Sequence, residues 1–569
     1  MSSKHSSTGE KILLGLLPFW TPLIPPMGIS CLKSFLREYG YPVKTFDFTV
    51  KEAFSETYNR YFNTLKGCIP EPKRGNFYNM GHDVLQSHMM AHLNYKTREE
   101  YVSLVKILVD RNYLHKIDDT SVDRLNEIVA EFYDLLKNNL VALLEKENPR
   151  VFGLTVYRGT LPASLFALKF AKEINPHIKT VVGGGSFSQE LEISSENFKN
   201  FLKQTPYIDN VVIGEGEILF LKYLQEEFPR GRRVCSLKDI SNRVVDLSSA
   251  VLPDFSDFDI ERYPNMAVYA SRSCPFQCSF CAETTYWGEY RKKSAAQVVT
   301  EMYHLYLEYG QRLFLMCDSL LNPVAAGLAK EFLDSGLSLY WDGYLRADKP
   351  VCNHENTLLW RRGGFYRARL GLESGSEKIL ELMGKRITPG QYKEALSSLA
   401  EAGIKTTTYW IMGHPGETEE DFRQTLDFIE AFKDDIYEAE CNPFRYFESG
   451  QVNSGEWTHS GERVPLYPAE MDPLLMNRTW VLKNNPTWEE TIERTQRFVR
   501  HCRRLGVLNP YTLPAIYEAD ERWKELHPNA VPSMADLVDE NCTFYESRNV
   551  NRILELESQL DVEGDFDFE

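Results

Sequence analysis

The chain has 569 residues, 81 acidic against 64 basic side chains, and a formal net charge of −17. A surface of that sign repels phosphate backbones and anionic lipid, which argues against nucleic-acid and membrane partners. Its 43% hydrophobic and 25% charged residues give a globular composition, and its length implies several domains, each able to bury a core.

Residues 1–10 are polar and read as a disordered tail. The apolar stretch Leu13–Ile24 follows Glu10 and Lys11, is punctuated by Pro18, Pro22 and Pro25, and lacks a small-residue cleavage site, so it reads as a buried strand and loop. No run of 18 apolar residues occurs, which removes a spanning helix. A β-α-β start follows, with strands Ile12–Leu17 and Val43–Phe48 around a helix over Met27–Tyr39. A helical insertion over about 51–147 then interrupts the alternation. It resumes with Val151–Val156, a helix over Ala163–Ile174, Thr180–Val182 running into three glycines, and Asn210–Ile213 before Gly214-Glu215-Gly216-Glu217. Five strands with alternating helices predict a flavodoxin-like (Rossmann-like) α/β domain over 11–228. Residues 229–264, rich in Pro, Asp and Ser, read as a linker.

A second β/α series spans 265–454, with candidate strands Ala267–Ala270, Arg312–Met316, Leu339–Tyr344, Arg367–Leu370, Lys405–Ile411 and Ile436–Glu440. Thr388-Pro389 and Thr418…Asp421 mark helix starts. Six repeats predict a partial (β/α)6 barrel rather than a closed eight-fold one. The alternation stops near Gly455, and a mostly helical, aromatic-rich region over 455–569 is expected to close the substrate pocket. It carries Trp457, Trp480, Trp488, Tyr511, Tyr517 and Trp523, which are first assigned to core rather than to a substrate platform.

Eleven cysteines, an odd and scattered set, do not form a secreted disulfide framework and fit free thiols in a reducing cytoplasm. The exception is Cys274-Pro-Phe-Gln-Cys278-Ser-Phe-Cys281, immediately after the first strand of the second series. A zinc site would want a fourth ligand nearby, and neither a second C-x2-C nor a His pair is present. Three buried thiols need no such spacing. Three thiolates on one short loop can hold three irons of a [4Fe–4S] cube and leave the fourth open, at the strand ends where β/α barrels place chemistry.

That run resembles the signature of the radical S-adenosylmethionine (SAM) superfamily. The resemblance implies Cys274, Cys278 and Cys281 as cluster ligands and Phe280 as a neighbour of the SAM adenine. Gly371-Leu372-Glu373-Ser374-Gly375-Ser376 resembles the superfamily's fourth-strand element near SAM, and Gly413-His414-Pro415-Gly416-Glu417-Thr418 its turn after the fifth strand. The usual Gly-Gly-Glu is replaced by Cys317-Asp318-Ser319, leaving Asp318, Arg346, Glu373 and Ser374 as the expected SAM contacts at the barrel mouth. The amino-terminal unit resembles the cobalamin-binding domain of many such enzymes, through Pro25-Pro26-Met27-Gly28, Asp47, the loop from Thr155 to Leu161, Gly183-Gly184-Gly185 and Gly214-Glu215-Gly216-Glu217. Pro26, Gly28, Thr155, Gly183, Gly184, Glu215 and Gly216 are the expected cobalamin contacts, the glycines letting backbone approach the corrin. No Asp-x-His pair occurs, so the expected cobalamin is base-off and His-off.

Together the two units resemble the class B radical SAM methyltransferases. This implies methylation of an unactivated carbon in a small-molecule or peptide-derived metabolite, with electrons from a flavodoxin- or ferredoxin-type donor. Ring closure, contraction or rearrangement is the alternative for the same architecture. A non-enzymatic corrinoid protein is less well supported, because it leaves the cysteine loop idle.

Overall fold

The structure is a computed structural model and describes residues 11–188, 191–446, 463–483, 486–509 and 513–527. The polar tail at 1–10, Trp457, Tyr511 and the acidic end therefore lie outside the described residues.

The first sheet has six parallel strands: β1 (Ile12–Leu16), β2 (Val43–Asp47), β3 (Val151–Thr155), β4 (Lys179–Gly183), β5 (Asn210–Ile213) and β6 (Val234–Ser236). Their order is β2-β1-β3-β4-β5-β6, the doubly wound order with one strand added. Strand period separates its two cores. Ile12, Leu14, Val181 and Val212 face α1 (Met27–Glu38) and a helix after β5, while Leu13, Phe152, Leu154 and Val182 face the insertion. Burial on both faces explains why these strands are continuous apolar runs.

The insertion is four helices, α2 (Glu52–Cys68), α3 (Phe77–Asn94), α4 (Arg98–Tyr113) and α5 (Asp119–Glu147). They share one hydrophobic core with the sheet. After them come α6 (Leu161–Ile174), α7 (Glu196–Gln204) and α8 (Gly216–Leu224).

The expected linker is more tightly built than its composition implies. Val234–Ser236 pairs with β5 as the sixth strand. The fully buried Lys33 of α1 then holds Asp254 and Asp257 at 2.9 and 2.7 Å, and the Tyr263 hydroxyl donates to Asp47 at 2.7 Å. Loop composition was visible in the sequence; the partners of these charges were not.

The second sheet opens with β7 (Met266–Val268) and a small hairpin, β8 (Ser271–Arg272) with β9 (Arg291–Lys292). It continues with β10 (Leu313–Met316), β11 (Tyr340–Leu345), β12 (Phe365–Glu373), β13 (Lys405–Met412) and β14 (Glu438–Pro443). The order β14-β13-β12-β11-β10-β7 is a six-stranded parallel arc, the expected partial barrel. On β12, Ala368, Leu370 and Leu372 enter the helix-side core, while Arg367, Arg369 and Glu373 take the alternate positions. Arg369 pairs with Asp342 at 2.6 Å and Arg367 with Glu438, so the inner face is lined by ion pairs. Thr388 and Thr418 cap Pro389–Glu401 and Glu419–Ala431 with capping boxes, as the sequence signals.

The carboxyl-terminal region contains a hairpin, β15 (Arg463–Pro465) with β16 (Trp480–Leu482), as well as helices. Its helix Trp488–Arg504 covers the edge strand β14 and ties it to the insertion. Gln496 donates to the Lys73 and Tyr113 carbonyls at 2.9 and 3.0 Å, and Asn76 donates to the Cys441 carbonyl at 2.6 Å. Trp488 and Trp523 are buried core residues, Tyr517 is half-buried, and Trp480 is half-buried beside a cleft. Among the described residues no helix is long and apolar enough to cross a membrane.

Candidate active site

The cysteine loop begins where β8 ends, at the carboxyl edge of the second sheet. Asp318, expected at the barrel mouth, is buried and fixes that handover. Its carboxylate accepts from the Ala270 amide at 2.9 Å and the Ser271 hydroxyl at 2.5 Å. Burial pushes its carboxyl up to about 6, against the hydrogen bonds that lower it. Both oxygens serve the loop's geometry, so Asp318 positions the loop rather than offering a free carboxylate.

Cys274, Cys278 and Cys281 are half-buried free thiols. Burial raises the Cys274 thiol, and raises Cys281 to about 12, with the neighbouring thiols adding to the effect. Nearby iron would reverse that balance by stabilising the thiolates. Among the described residues no group of three His, Cys, Asp or Glu side chains converges on one ion. A cube does not require convergence, because each thiolate binds a different iron.

The loop is braced from several strands. Ser279 donates its amide to the Met383 carbonyl at 2.9 Å. Arg346, buried after β11, lies over the Phe276 ring at 4.1 Å and directs Nη1 to the Cys278 sulfur at 3.7 Å. Glu373 ends β12 at a register shift, with φ of 68°, and accepts from Lys385 Nζ at 2.7 Å. Lys385 in turn sits 5.8 Å from the half-buried Phe280 ring. Arg346, Glu373 and Phe280 therefore gather beside the cysteines. Ser374 does not: it is fully buried, accepts from the Ser376 amide at 3.1 Å and lies against Thr425.

The first sheet turns its own carboxyl edge to this loop, and the contact is electrostatic. Glu215 accepts from Arg272 at 2.5 Å and from Arg291, while Arg272 also reaches Glu217 at 2.7 Å. Arg272, Glu215 and Glu217 are almost fully buried, and the carboxylates hold the Arg272 guanidinium firmly charged. Glu215, expected against cobalamin, is thus half of a clamp between the sheets. Arg272 stands two residues before Cys274, a role for which the sequence gives no signal. Farther along the same edge, burial raises the Tyr157 phenol, and the nearby Cys317 thiol adds to the shift. Trp20 stacks on Tyr157 at 4.4 Å.

The glycines divide into two kinds. A Cβ on Gly184, which has φ of +108°, would meet the Val156 backbone at 2.7 and 2.8 Å. One on Gly183 would press the Val212 carbonyl at 3.2 Å, and one on Gly216 would meet Leu32 at 3.3 Å. Those three are required by the protein's own packing. Gly28 differs, since an added Cβ meets nothing within 4 Å. Beside it Pro26 is half-buried at the cap of α1, and Thr155 is half-buried at the end of β3. The loops 17–29, 156–161, 183–188 and 214–217 contain no histidine.

Residues 268–429 match the Radical SAM superfamily. An uncharacterized methyltransferase of Pyrococcus horikoshii is 26% identical over 317 residues, covering 52% of this chain and 67% of that protein. The anaerobic magnesium-protoporphyrin IX monomethyl ester cyclase of Rubrivivax gelatinosus is 26% identical over 344 residues, covering 54% of this chain and 59% of the cyclase. The chain thus spans a little under or about two thirds of these relatives. Among solved structures, the radical SAM methyltransferase TsrM from Kitasatospora setae, with cobalamin and a [4Fe–4S] cluster bound, superposes with a TM-score of 0.56 at 14% identity, covering 98% of this chain and all of TsrM. With tryptophan and a SAM analogue bound, TsrM gives a TM-score of 0.59 at 15% identity, covering 96% of this chain and 99% of TsrM. Residues 268–429 are thus a domain of the radical SAM type. The chain's two-sheet fold is that of TsrM.

Proposed function

We propose that the chain is a cobalamin-dependent radical SAM methyltransferase acting on an unactivated carbon of a small-molecule or peptide-derived metabolite. The observation that carries this reading is the facing of two edges. The cysteine loop of one sheet is clamped by Arg272 to the carboxyl-edge loops of the other, so groups held at each edge would face one another. When bound, the cluster supplies the electron that cleaves SAM to a 5′-deoxyadenosyl radical, and cobalamin carries the methyl group.

In this reading Cys274, Cys278 and Cys281 hold the cluster. Arg346, which places positive charge beside Cys278, would meet the SAM carboxylate, Glu373 with Lys385 would meet its amino acid, and Phe280 would pack on adenine. Pro26, Gly28 and the loop from Thr155 to Tyr157 receive cobalamin base-off and His-off. A flavodoxin- or ferredoxin-type donor supplies electrons, and the reducing chemistry suits the cytoplasm.

Turnover with CD3-labelled SAM tests this. A methylase releases 5′-deoxyadenosine and S-adenosylhomocysteine in about equal amounts and moves the label into product. The relationship to a cyclase favours one alternative, ring formation without methyl transfer. Product of unchanged carbon count, formed without S-adenosylhomocysteine, decides for that alternative. EPR of the cob(II)alamin form tests the cobalt environment, where a nitrogen triplet would contradict the His-off assignment.

A further inference from the structure

The inner face of the second sheet carries one acidic side chain that its ion pairs leave over. Along β14 the core takes Ala439 and Cys441, so Glu438, Glu440 and Asn442 hold the alternate, inner positions. Glu438 is matched by Arg367, Asp342 by Arg369 and Glu373 by Lys385. Glu440 makes no ion pair among the described residues, where it accepts one hydrogen bond, from the Asn442 amide at 3.3 Å. Register sets Glu440 beside Tyr409 of β13, and Tyr409 beside Gly371 of β12, which brings no side chain to the row. Tyr344 of β11 reaches across β12, its ring centroid 5.8 Å from that of Tyr409. Burial raises the Tyr409 phenol, and the Tyr344 and Glu440 side chains add to the shift. The row stands two residues below Arg346 and Glu373 at the mouth, roughly 6–7 Å down the strands. Two residues farther down, Asp342–Arg369 and Arg367–Glu438 form an ion-paired floor. Tyr344 is 42% exposed although strands flank it on both sides, Cys317 beside it on the mouth of β10 is exposed, and Tyr409 and Glu440 are half-buried. The row therefore faces solvent-accessible space inside the arc, not packed core.

We propose that this row binds a cationic group of the substrate, a protonated or quaternary amine, with its charge on Glu440 and its alkyl carbons against the Tyr344 and Tyr409 rings. A carboxylate beside two aromatic rings offers an ammonium both an ion pair and π faces. A neutral or anionic group would leave the Glu440 charge unmatched in a partly desolvated lumen. The floor stops deeper entry, because Asp342, Arg367, Arg369 and Glu438 already have partners. A substrate anchored at Glu440 extends its remaining part toward the mouth, one strand step from the residues assigned to SAM. The proposal rests on the enzymatic reading for the word substrate, but its test does not, because binding needs neither SAM cleavage nor a reductant.

The test uses the full chain and three probes of similar size, phenethylamine, 2-phenylethanol and 3-phenylpropionate, which are cationic, neutral and anionic at neutral pH, in equilibrium dialysis. The amine should bind about tenfold or more tightly than the alcohol, and the acid most weakly. Glu440→Gln should erase that preference and Glu440→Asp should keep part of it, with melting temperatures recorded so that loss of fold is not mistaken for loss of binding. Tyr344→Leu should weaken the amine more than the alcohol. SAM binding to cluster-reconstituted Glu440→Gln should match wild type. A Glu440→Gln variant that loses SAM but keeps the amine preference would assign the carboxylate to SAM and overturn the proposal. Equal binding of the three probes, an unchanged preference in Glu440→Gln, or no amine binding at millimolar concentration overturns it as well. Methyl transfer failing while the preference holds would sink the functional reading and leave the amine site standing; labelled product from a chain without the preference would do the reverse.

Discussion

The two sheets are near copies in architecture, six parallel strands each, yet they use their carboxyl edges differently. At the edge of the second sheet, candidate ligands sit on one eight-residue loop braced by distant side chains: Asp318 beneath, Arg346 beside Cys278, Met383 holding Ser279. At the edge of the first, the most conspicuous loop residues turn inward. Gly184 admits the neighbouring strand, Glu215 grips two arginines, and Asp47 is covered by Tyr263. A loop that must present several ligands at once needs them close in sequence. A broad flat ligand can be met by backbone from many loops, and most of the polar groups there are left to hold the protein together.

The sharpest break of that contrast is at the cysteines. Replacing Cys274, Cys278 and Cys281 together by Ala should remove all cluster iron and all 5′-deoxyadenosine release, whereas Cys317→Ala should retain about four irons per chain. Iron and sulfide quantitation on anaerobically purified protein reads this directly. Iron lost from Cys317→Ala but kept in the triple variant would place the ligands elsewhere.

Next in size is the clamp. Glu215→Gln leaves two guanidiniums facing a neutral group, and losing one partner of a buried pair costs about 3–5 kcal/mol. Melting temperature should fall, and proteolysis between the sheets should accelerate, while iron content at low temperature stays near wild type. An unchanged melting profile would mean that Glu215 does not help hold the sheets together.

A smaller effect follows from Asp47, whose carboxyl is raised from 3.8 to about 6 by burial despite hydrogen bonds from Thr49 and Tyr263. Below pH 3.8 the group is protonated in both folded and unfolded chains. Between 3.8 and 6 the unfolded chain releases the proton while the folded one keeps it, so stability falls as pH rises through this window and is level above it. Asp47→Asn, which mimics the protonated acid, should gain on wild type across that window by at most ~3 kcal/mol. A melting-temperature difference independent of pH would show that Asp47 does not titrate there.

The finest test separates the glycines. Gly184→Ala should cost about 1–3 kcal/mol, through its left-handed backbone and the Val156 contact, with cobalamin affinity per folded molecule unchanged. Gly28→Trp should leave melting nearly unaltered and weaken cobalamin binding, measured by absorbance titration. The reverse pattern would return Gly184 to the ligand and remove Gly28 from it.

By itself, the sequence determined the alternation of strands and helices, the six-repeat arc, the interrupted first sheet, the helix caps at Thr388 and Thr418, and the cysteine loop. These are local quantities: period, capping chemistry and ligand spacing are written within a few neighbouring residues. Only the tertiary structure decided that Val234–Ser236 belongs to the first sheet, and that Lys33 fastens the segment taken for a linker. It also decided that Asp318 and Glu215 are consumed by structural bonds, and that Arg158 and Arg445 meet over Asp83. Each of those facts joins residues far apart in the chain. The partner of a buried charge is chosen by the packing of whole elements, which no short window of sequence contains.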